Sequence, residues 1–238
     1  MDGNGRWAQA RGHSRFWGHI RGAKAATRTI RSAVDLGVKN LTLFTFSTEN
    51  WKRPEMEVNF LMHLLSRQLK KELKMLMENN VHFSCVGDIS VLPKHAQKAL
   101  AETMQATKDN TGLNLVFALN YSGRQDLLSA AKEFALRAQR GEVDPHSVTE
   151  EDFNQWLAGS ERPHPDLIIR TSGELRVSNF FLWQAAYSEL YFTDKLWPDF
   201  KHDDFLAAIT EFNHRERRFG QTGDQVARTS DSMQNDTL

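Results

Sequence analysis

Cysteine is nearly absent from this sequence, since Cys85 is the only one among 238 residues. Disulfide frameworks and cysteine-rich metal sites are therefore excluded, and the composition suits a reducing cytoplasm. Long apolar runs are also missing, because no stretch approaches the roughly eighteen apolar residues of a membrane-spanning helix. The 30 basic and 30 acidic residues cancel, which argues against nucleic acid bound along a whole face. We therefore expect a cytoplasmic globular protein that binds no nucleic acid.

Two well-known phosphate-binding motifs are missing as well. No Gly-x-x-x-x-Gly-Lys-Ser/Thr loop occurs, so the sequence does not indicate a P-loop NTPase. No Asp-Asp-x-x-Asp occurs either, and the pair Asp203-Asp204 lies at a predicted helix start, where acidic residues are common in any protein.

The first eight residues, Met1 to Ala8, combine an acid, two glycines, a base and an indole. Gly3 and Gly5 can adopt backbone angles closed to residues with a Cβ, so successive N–H groups can turn toward one phosphate, and Arg6 adds a cation. Asp2 would be repelled by such a ligand unless Mg²⁺ lay between them. A plain turn is the alternative, because Asp-Gly and Asn-Gly are common hairpin dipeptides.

Positive charge is concentrated near the amino end. Residues 1–31 contain seven arginines and lysines against the single acid Asp2. Because the whole chain is neutral, this local excess favours a small polyanionic ligand over the plain turn.

Short apolar runs alternate with helical patterns along the chain. The longest helical pattern, at 54–79, is apolar nearly all round in its first half, which is typical of a buried core helix or of one wall of a long apolar pocket. The alternation predicts a single α/β domain over residues 1–220, with a mostly parallel central sheet covered by helices on both faces. The polar tail at 221–238 is expected to be disordered. Strands are predicted at 41–46, 81–86, 113–119, 166–169 and 189–192, and helices at 23–36, 54–79, 93–107, 125–140, 153–157, 180–187 and 203–217.

Polar clusters follow three predicted strands directly, at 47–51, 120–124 and 170–173. Ligands collect at the carboxyl ends of parallel strands, so we expect these clusters to converge on one edge. The first of them precedes a helix start, where free N–H groups favour anions. After the third of these strands, the sequence predicts either a diphosphate clamp or part of a surface salt-bridge face, formed by Arg170, Arg176 and Ser178.

These motifs resemble those of the cis-prenyltransferase family, which includes the bacterial undecaprenyl diphosphate synthases. The opening Met-Asp-Gly-Asn-Gly-Arg-Trp-Ala and the later Gly-His-x-x-Gly-Ala match the first family motif, and residues 47–54 match Ser-x-Glu-Asn-Trp-x-Arg-Pro. Residues 170–180 and the Arg-x-Gly element at 218–220 match two others. The resemblance covers residues 1–220, whereas the all-helical trans-prenyltransferases bind diphosphate through Asp-rich helices that this sequence lacks.

The resemblance implies a transferase that condenses isopentenyl diphosphate successively onto farnesyl diphosphate with cis stereochemistry. The product would be a long polyprenyl diphosphate, such as the undecaprenyl carrier precursor of cell-wall synthesis. It also implies Mg²⁺ as cofactor, a homodimer, and peripheral membrane contact through the product. Two alternatives stay open: a non-catalytic partner subunit, and an enzyme that makes a shorter product. Asp2 favours an enzyme, since such subunits typically lose this acid. A phosphatase is disfavoured, because Ser14 and Ser47 lack an obvious base.

The resemblance also assigns roles to residues. Asp2 and Asn50 are expected to be catalytic, with Asn50 in proton removal, and Asp2 and Glu189 to bind Mg²⁺. The growing chain would run between the helix at 54–79 and the sheet, along Phe44, Leu61, Leu65, Leu69 and Leu113. The expected substrate-binding residues are Gly3, Asn4, Gly5, Arg6, Trp7, Arg15, His19, Ser47, Thr48, Glu49, Trp51, Arg53, Arg170, Arg176, Val177 and Ser178.

In this family an apolar strand precedes the first motif, whereas this sequence begins at Met1. Parallel strands are buried on both faces, so its loss would expose apolar surface and leave a neighbouring strand unpaired. We therefore expect that the natural protein carries an upstream segment with this first strand, and that the chain as written is less soluble and less active.

Overall fold

The structure, a computed structural model, describes residues 1–215. The predicted polar tail and the Arg-x-Gly element at 218–220 lie outside the described residues. Within them, the helices are α1 Asn4–Gln9, α2 Arg15–Asp35, α3 Glu55–Glu78, α4 Lys94–Thr107, α5 Gly123–Gln139, α6 Glu150–Gln155 and α7 His202–His214, and the strands are β1 Asn40–Ser47, β2 His82–Val86, β3 Asn114–Tyr121, β4 Leu167–Arg170 and β5 Glu189–Phe192.

All strand pairs of the described part are parallel, and the predicted α/β class is confirmed. The strands form two sheets instead of one continuous sheet, with the order β1-β3-β2 in the first and β4-β5 in the second. A cavity of about 460 Å³ is lined by β1 on one side and β4 on the other. No described strand lies between these two edges, so no ladder of hydrogen bonds joins the sheets.

The first sheet is covered on both faces, as alternate residues of β3 demonstrate. Leu115 and Leu119 belong to the main core, which α2, α3 and α4 also form, whereas Val116 and Ala118 pack in a second cluster on the opposite face. Cys85 is packed against the main core, and burial raises the pKa of its thiol to about 12. No helix within residues 1–215 is long and apolar enough to cross a membrane.

One predicted helix, at 180–187, does not form. The chain there makes turns instead, because Ser178, Asn179 and Phe181 have φ angles of 51°, 63° and 45°, which no right-handed helix accommodates. Phe180 and Phe181 pack in aromatic contacts with Tyr121. Apolar spacing alone predicted a helix, and these aromatic contacts are not visible in a local pattern.

Candidate active site

The first motif forms the short helix α1 and not the open glycine loop that the sequence predicted. Gly3 precedes it with a φ of 100°, which favours glycine. The following helix begins at Arg15, earlier than the predicted start at residue 23. Gly18 lies inside that helix because a Cβ there would be 2.0 Å from the carbonyl oxygen of Asn4. Glycine therefore lets α1 pack tightly against α2, which fixes the position of the first motif.

Asp2 accepts hydrogen bonds at the amino end of α1. Its Oδ1 accepts from the N–H of Gly3 at 2.6 Å, and its Oδ2 accepts from Arg170 at 2.8 Å. Arg6 lies 3.6 Å from the same carboxylate. Burial alone would raise the pKa of Asp2, but the Gly3 N–H and the two guanidiniums bring it below its ordinary value. The carboxylate is therefore ionised at neutral pH, as metal binding requires.

Two arginines connect the first motif to the segment after β4. Arg6 donates to the backbone oxygen and Oγ of Ser172 at 3.2 and 2.7 Å, and it pairs with Glu174 at 3.0 Å. Arg170 is only 17% exposed, and its Nε has no hydrogen-bond partner in the part of the chain that the structure describes. Such a buried donor suits a ligand oxygen.

Glu57, in the first turn of α3, has a buried carboxylate that contacts three polar side chains. Arg15 donates to it at 3.2 and 3.3 Å, Arg53 donates at 3.2 Å, and Nε2 of His19 lies 3.1 Å away. Burial alone would raise the pKa of Glu57, but the hydrogen bonds from Arg15 and His19 lower it. Burial lowers the pKa of His19, so its ring is neutral at pH 7. The cluster thus keeps one net positive charge.

Sequence reasoning placed Arg15, His19 and Arg53 in the site and missed Glu57. Acidic residues are expected in the first turn of any helix, so this glutamate carried no distinctive pattern. Its spacing of four residues from Arg53 was the one available hint.

The polar segments after β1, β3 and β4 meet at one edge, as the sequence predicted. Asn50 accepts from the N–H of Ser47 at 3.2 Å. Trp51, which is 38% exposed, donates to Asn120 at the carboxyl end of β3 at 2.8 Å. Asn179 donates to Glu49 at 2.7 Å and so joins the segment after β4 to the one after β1.

A cavity of about 610 Å³ opens among these segments and extends between α2, α3 and the first sheet. One end is lined by polar and charged groups, and the other is lined mainly by aliphatic and aromatic side chains, with Thr27, Gln68 and Glu72 among them. α3 is therefore both a core helix, through Met62, and a wall of this cavity. The polar lining includes Asp2, Arg15, His19, Asn50, Arg53, Arg170 and Ser178, and the apolar lining includes Ile30, Leu61, Leu65, Leu69, Leu76, Phe83, Leu115 and Phe117.

A sequence model of the family described as putative undecaprenyl diphosphate synthase matches residues 1–220. The chain belongs to this prenyltransferase family. An isoprenyl transferase of Bacillus subtilis is 51% identical over 220 residues, covering 92% of this chain and 85% of that protein. A ditrans,polycis-undecaprenyl-diphosphate synthase ((2E,6E)-farnesyl-diphosphate specific) of Vibrio parahaemolyticus is 46% identical over 226 residues, covering 95% of this chain and 90% of that protein.

A solved structure is similar to this prenyltransferase over nearly its whole length. The crystal structure of lavandulyl diphosphate synthase from Lavandula x intermedia in complex with dimethylallyl diphosphate has a TM-score of 0.90 and 37% identity, covering 93% of this chain and 95% of that one. The resemblance stated from the motifs is thus confirmed, and the chain is a cis-prenyltransferase enzyme.

Most of the residues assigned from the family motifs line the larger cavity, but several do not. Trp7 is buried and donates to Asp199 at 2.8 Å. Arg176 and Val177 line the smaller cavity beside β4. Leu113, expected along the path of the growing chain, is absent from the cavity lining. The other assigned residues outside that lining are Gly3, Arg6, Thr48 and Trp51, and Gly3 and Arg6 contact Asp2, which does line it.

Glu189 lies away from Asp2 in this chain. It begins β5 opposite Leu167, whereas Arg170, the partner of Asp2, ends β4 three residues further on, roughly 10 Å along the strand. Its carboxylate accepts from Arg215 at 2.8 Å. Residues 1–215 contain no cluster of three or more His, Cys, Asp or Glu side chains that could hold a metal. Asp2 thus contacts the carboxyl end of β4 through Arg170, whereas Glu189 lies at the amino end of β5, and the expected metal site shared by the two carboxylates stays a prediction.

Proposed function

We propose that this enzyme condenses isopentenyl diphosphate successively onto farnesyl diphosphate with cis stereochemistry, giving a long polyprenyl diphosphate. The observation that carries the proposal is the division of one cavity into a cationic end and an apolar end. A prenyl diphosphate has the same division, with two charged phosphates joined to a hydrocarbon tail. The cavity volume of about 610 Å³ is also that of a small-molecule site.

The allylic diphosphate would bind at the cationic end. Arg15 and Arg53 offer guanidinium donors there, and the neutral ring of His19, whose N–H is donated to Glu57, lines the same end. Because Glu57 already holds these three side chains, little ordering is needed when the ligand arrives. Cations positioned where a leaving diphosphate gains negative charge stabilise the transition state, which is usually the largest catalytic effect.

Prenyl diphosphate synthases generally use a divalent metal, and we propose Mg²⁺ here. Mg²⁺ is usually bound by one or two carboxylates together with substrate phosphates. Ionised Asp2 fits that role, and Glu189 of the same chain does not. The metal, when bound, would neutralise the diphosphate charge, and Asp2 would orient it against the first turn of α1.

Isopentenyl diphosphate would bind beside Asp2, on Arg170 and Ser178, while Arg176 lines the neighbouring smaller cavity. The unpartnered Nε of Arg170 supports this placement. The tail of the product would extend along Leu61, Leu65 and Leu69 of α3. Positioning two substrates in this way can supply about 7 to 11 kcal/mol of the barrier.

A homodimer is part of the proposal, because the remote Glu189 could serve the site of a second subunit. Peripheral contact with a membrane would follow from release of the long apolar product. Light scattering of the purified protein would check the dimer, and a monomer at assay concentration would contradict it.

A shorter product remains a second candidate, since the similar Lavandula enzyme is a lavandulyl diphosphate synthase. A non-catalytic subunit is disfavoured by the ionised Asp2.

Incorporation of radiolabelled isopentenyl diphosphate, with products separated by thin-layer chromatography, tests the function and the product length together. Asp2→Ala should lower turnover by orders of magnitude, because it removes a metal ligand. It also removes the carboxylate that pairs with Arg170 and Arg6, so the melting temperature should fall by a few degrees, and turnover is compared at a temperature where the variant is folded. EDTA should abolish activity reversibly. Turnover of Asp2→Ala within a few-fold of wild type would contradict the metal role.

A further inference from the structure

The segment between β4 and β5 has an unusual backbone. Ser178, Asn179 and Phe181 adopt left-handed φ angles of 51°, 63° and 45°. Asparagine adopts this region more readily than most residues, whereas serine and phenylalanine do so rarely. Such conformations persist where the surroundings hold them in place, and they are common at functional sites.

Asn179 holds this segment through four hydrogen bonds. Its amide nitrogen donates to Glu49 at 2.7 Å and to the hydroxyl of Ser122 at 2.8 Å, and its side-chain oxygen accepts from the N–H of Arg124 at 2.8 Å. Its backbone oxygen accepts from the N–H of Gly123 at 2.7 Å. One residue thus joins the segment after β4 to those that follow β1 and β3.

We propose that Asn179 is a positioning residue for the isopentenyl diphosphate half of the site. It fixes the backbone of Ser178, the adjacent residue, and it holds Glu49 at the wall of the same cavity. Asn179 itself also lines this cavity, but Glu49, Ser122 and Arg124 engage its side-chain groups, so it acts through its neighbours and not by contact with the reacting atoms. This proposal rests on the proposed function, in which Ser178 binds that diphosphate.

Asn80 offers a matched control in the same chain. It is also a left-handed asparagine, with a φ of 53°, in the turn between α3 and β2. Its side chain exchanges two hydrogen bonds with Thr111, at 3.1 and 2.9 Å. It lines neither of the two cavities described above.

The experiment compares Asn179→Gly and Asn179→Asp with Asn80→Gly and Asn80→Asp. Glycine accepts the left-handed backbone and deletes the side-chain bonds. Aspartate keeps the side-chain volume and an acceptor for Arg124, but it cannot donate to Glu49 and places a second carboxylate beside it. It is the second variant should the glycine variant fail to fold. The measurements are KM and kcat for each substrate, the affinity for inorganic diphosphate by calorimetry, and the melting temperature.

Both Asn179 variants should raise KM for isopentenyl diphosphate about ten-fold or more, with kcat and the KM for farnesyl diphosphate within about three-fold of wild type. The Asn80 variants should leave every kinetic constant unchanged even where they lower the melting temperature. An unchanged KM in the Asn179 variants would overturn the proposal, and so would an equal rise in the Asn80 variants. An inactive wild type would refute the proposed function and not the positioning role. In that case, weaker diphosphate binding confined to the Asn179 variants would still support positioning.

Discussion

Replacing Glu57 with glutamine tests whether the buried cluster at the start of α3 stabilises the protein. The Glu57 carboxylate is 8% exposed and serves Arg15, Arg53 and His19. Removing one partner of a fully buried ion pair costs about 3 to 5 kcal/mol. Here Arg15 is 48% exposed and Arg53 is 34% exposed, so both can regain water when the carboxylate is lost.

We therefore expect a loss nearer that of one charged hydrogen bond, about 1.5 to 3 kcal/mol. For a chain of this size, that loss lowers the melting temperature by about 3 to 12 °C. Glu78→Gln is the control, because Glu78 lies on the same helix and pairs with Lys74 while 62% exposed. Its loss should stay within about 0.5 kcal/mol.

Urea unfolding followed by circular dichroism at several pH values measures both changes. The folded pKa of Glu57 is below its ordinary value of 4.5, so its contribution is present above pH 4.5 and is lost as the pH falls through the folded pKa. The difference between wild type and Glu57→Gln should accordingly be full at pH 7 and shrink in acid. Equal stability of the two proteins at pH 7, or a difference that persists unchanged at the lowest pH, would refute this reasoning.

Two further substitutions test the packing and the cavity. Gly18→Ala should destabilise the fold and abolish activity, because its Cβ would meet the carbonyl oxygen of Asn4 at 2.0 Å. Thermal melting measures this, with Lys24→Ala, at an exposed position on the same helix, as the comparison. Leu65→Trp should shorten the products at a nearly unchanged initial rate, because Leu65 lines the apolar end of the cavity. Chromatography of the products measures their chain length, and an unaltered length would place the tail elsewhere.

The sequence predicted the fold class and most strand positions because these depend on local apolar patterns. β3, for example, was predicted at 113–119 and lies at Asn114–Tyr121. The sequence could not predict how the strands divide between the two sheets. The strands β1 and β4, which line the cavity between the sheets, carry no distinctive residue pattern. The sequence also missed the first eight residues of α2, at 15–22, since Gly18 looks like a helix breaker until Asn4 is known to lie against it.

The predicted site was most accurate where residues follow a strand directly, because parallel strands carry those residues to one edge. The metal role of Glu189 stays a prediction, because that residue begins β5 and lies away from the carboxyl end of β4, where Arg170 meets Asp2. Family resemblance transfers a residue's role without saying which subunit supplies it. Since Arg215 already neutralises Glu189 within the chain, any metal role for Glu189 requires that this ion pair open or that the carboxylate share the arginine. Asp2 is engaged in the same way, because its Oδ2 accepts from Arg170 at 2.8 Å and lies 3.6 Å from Arg6, so a metal there must also share or displace these partners. Because Asp2 contacts the carboxyl end of β4 and Glu189 lies at the amino end of β5, metal binding by one chain alone should depend on Asp2 and be insensitive to Glu189.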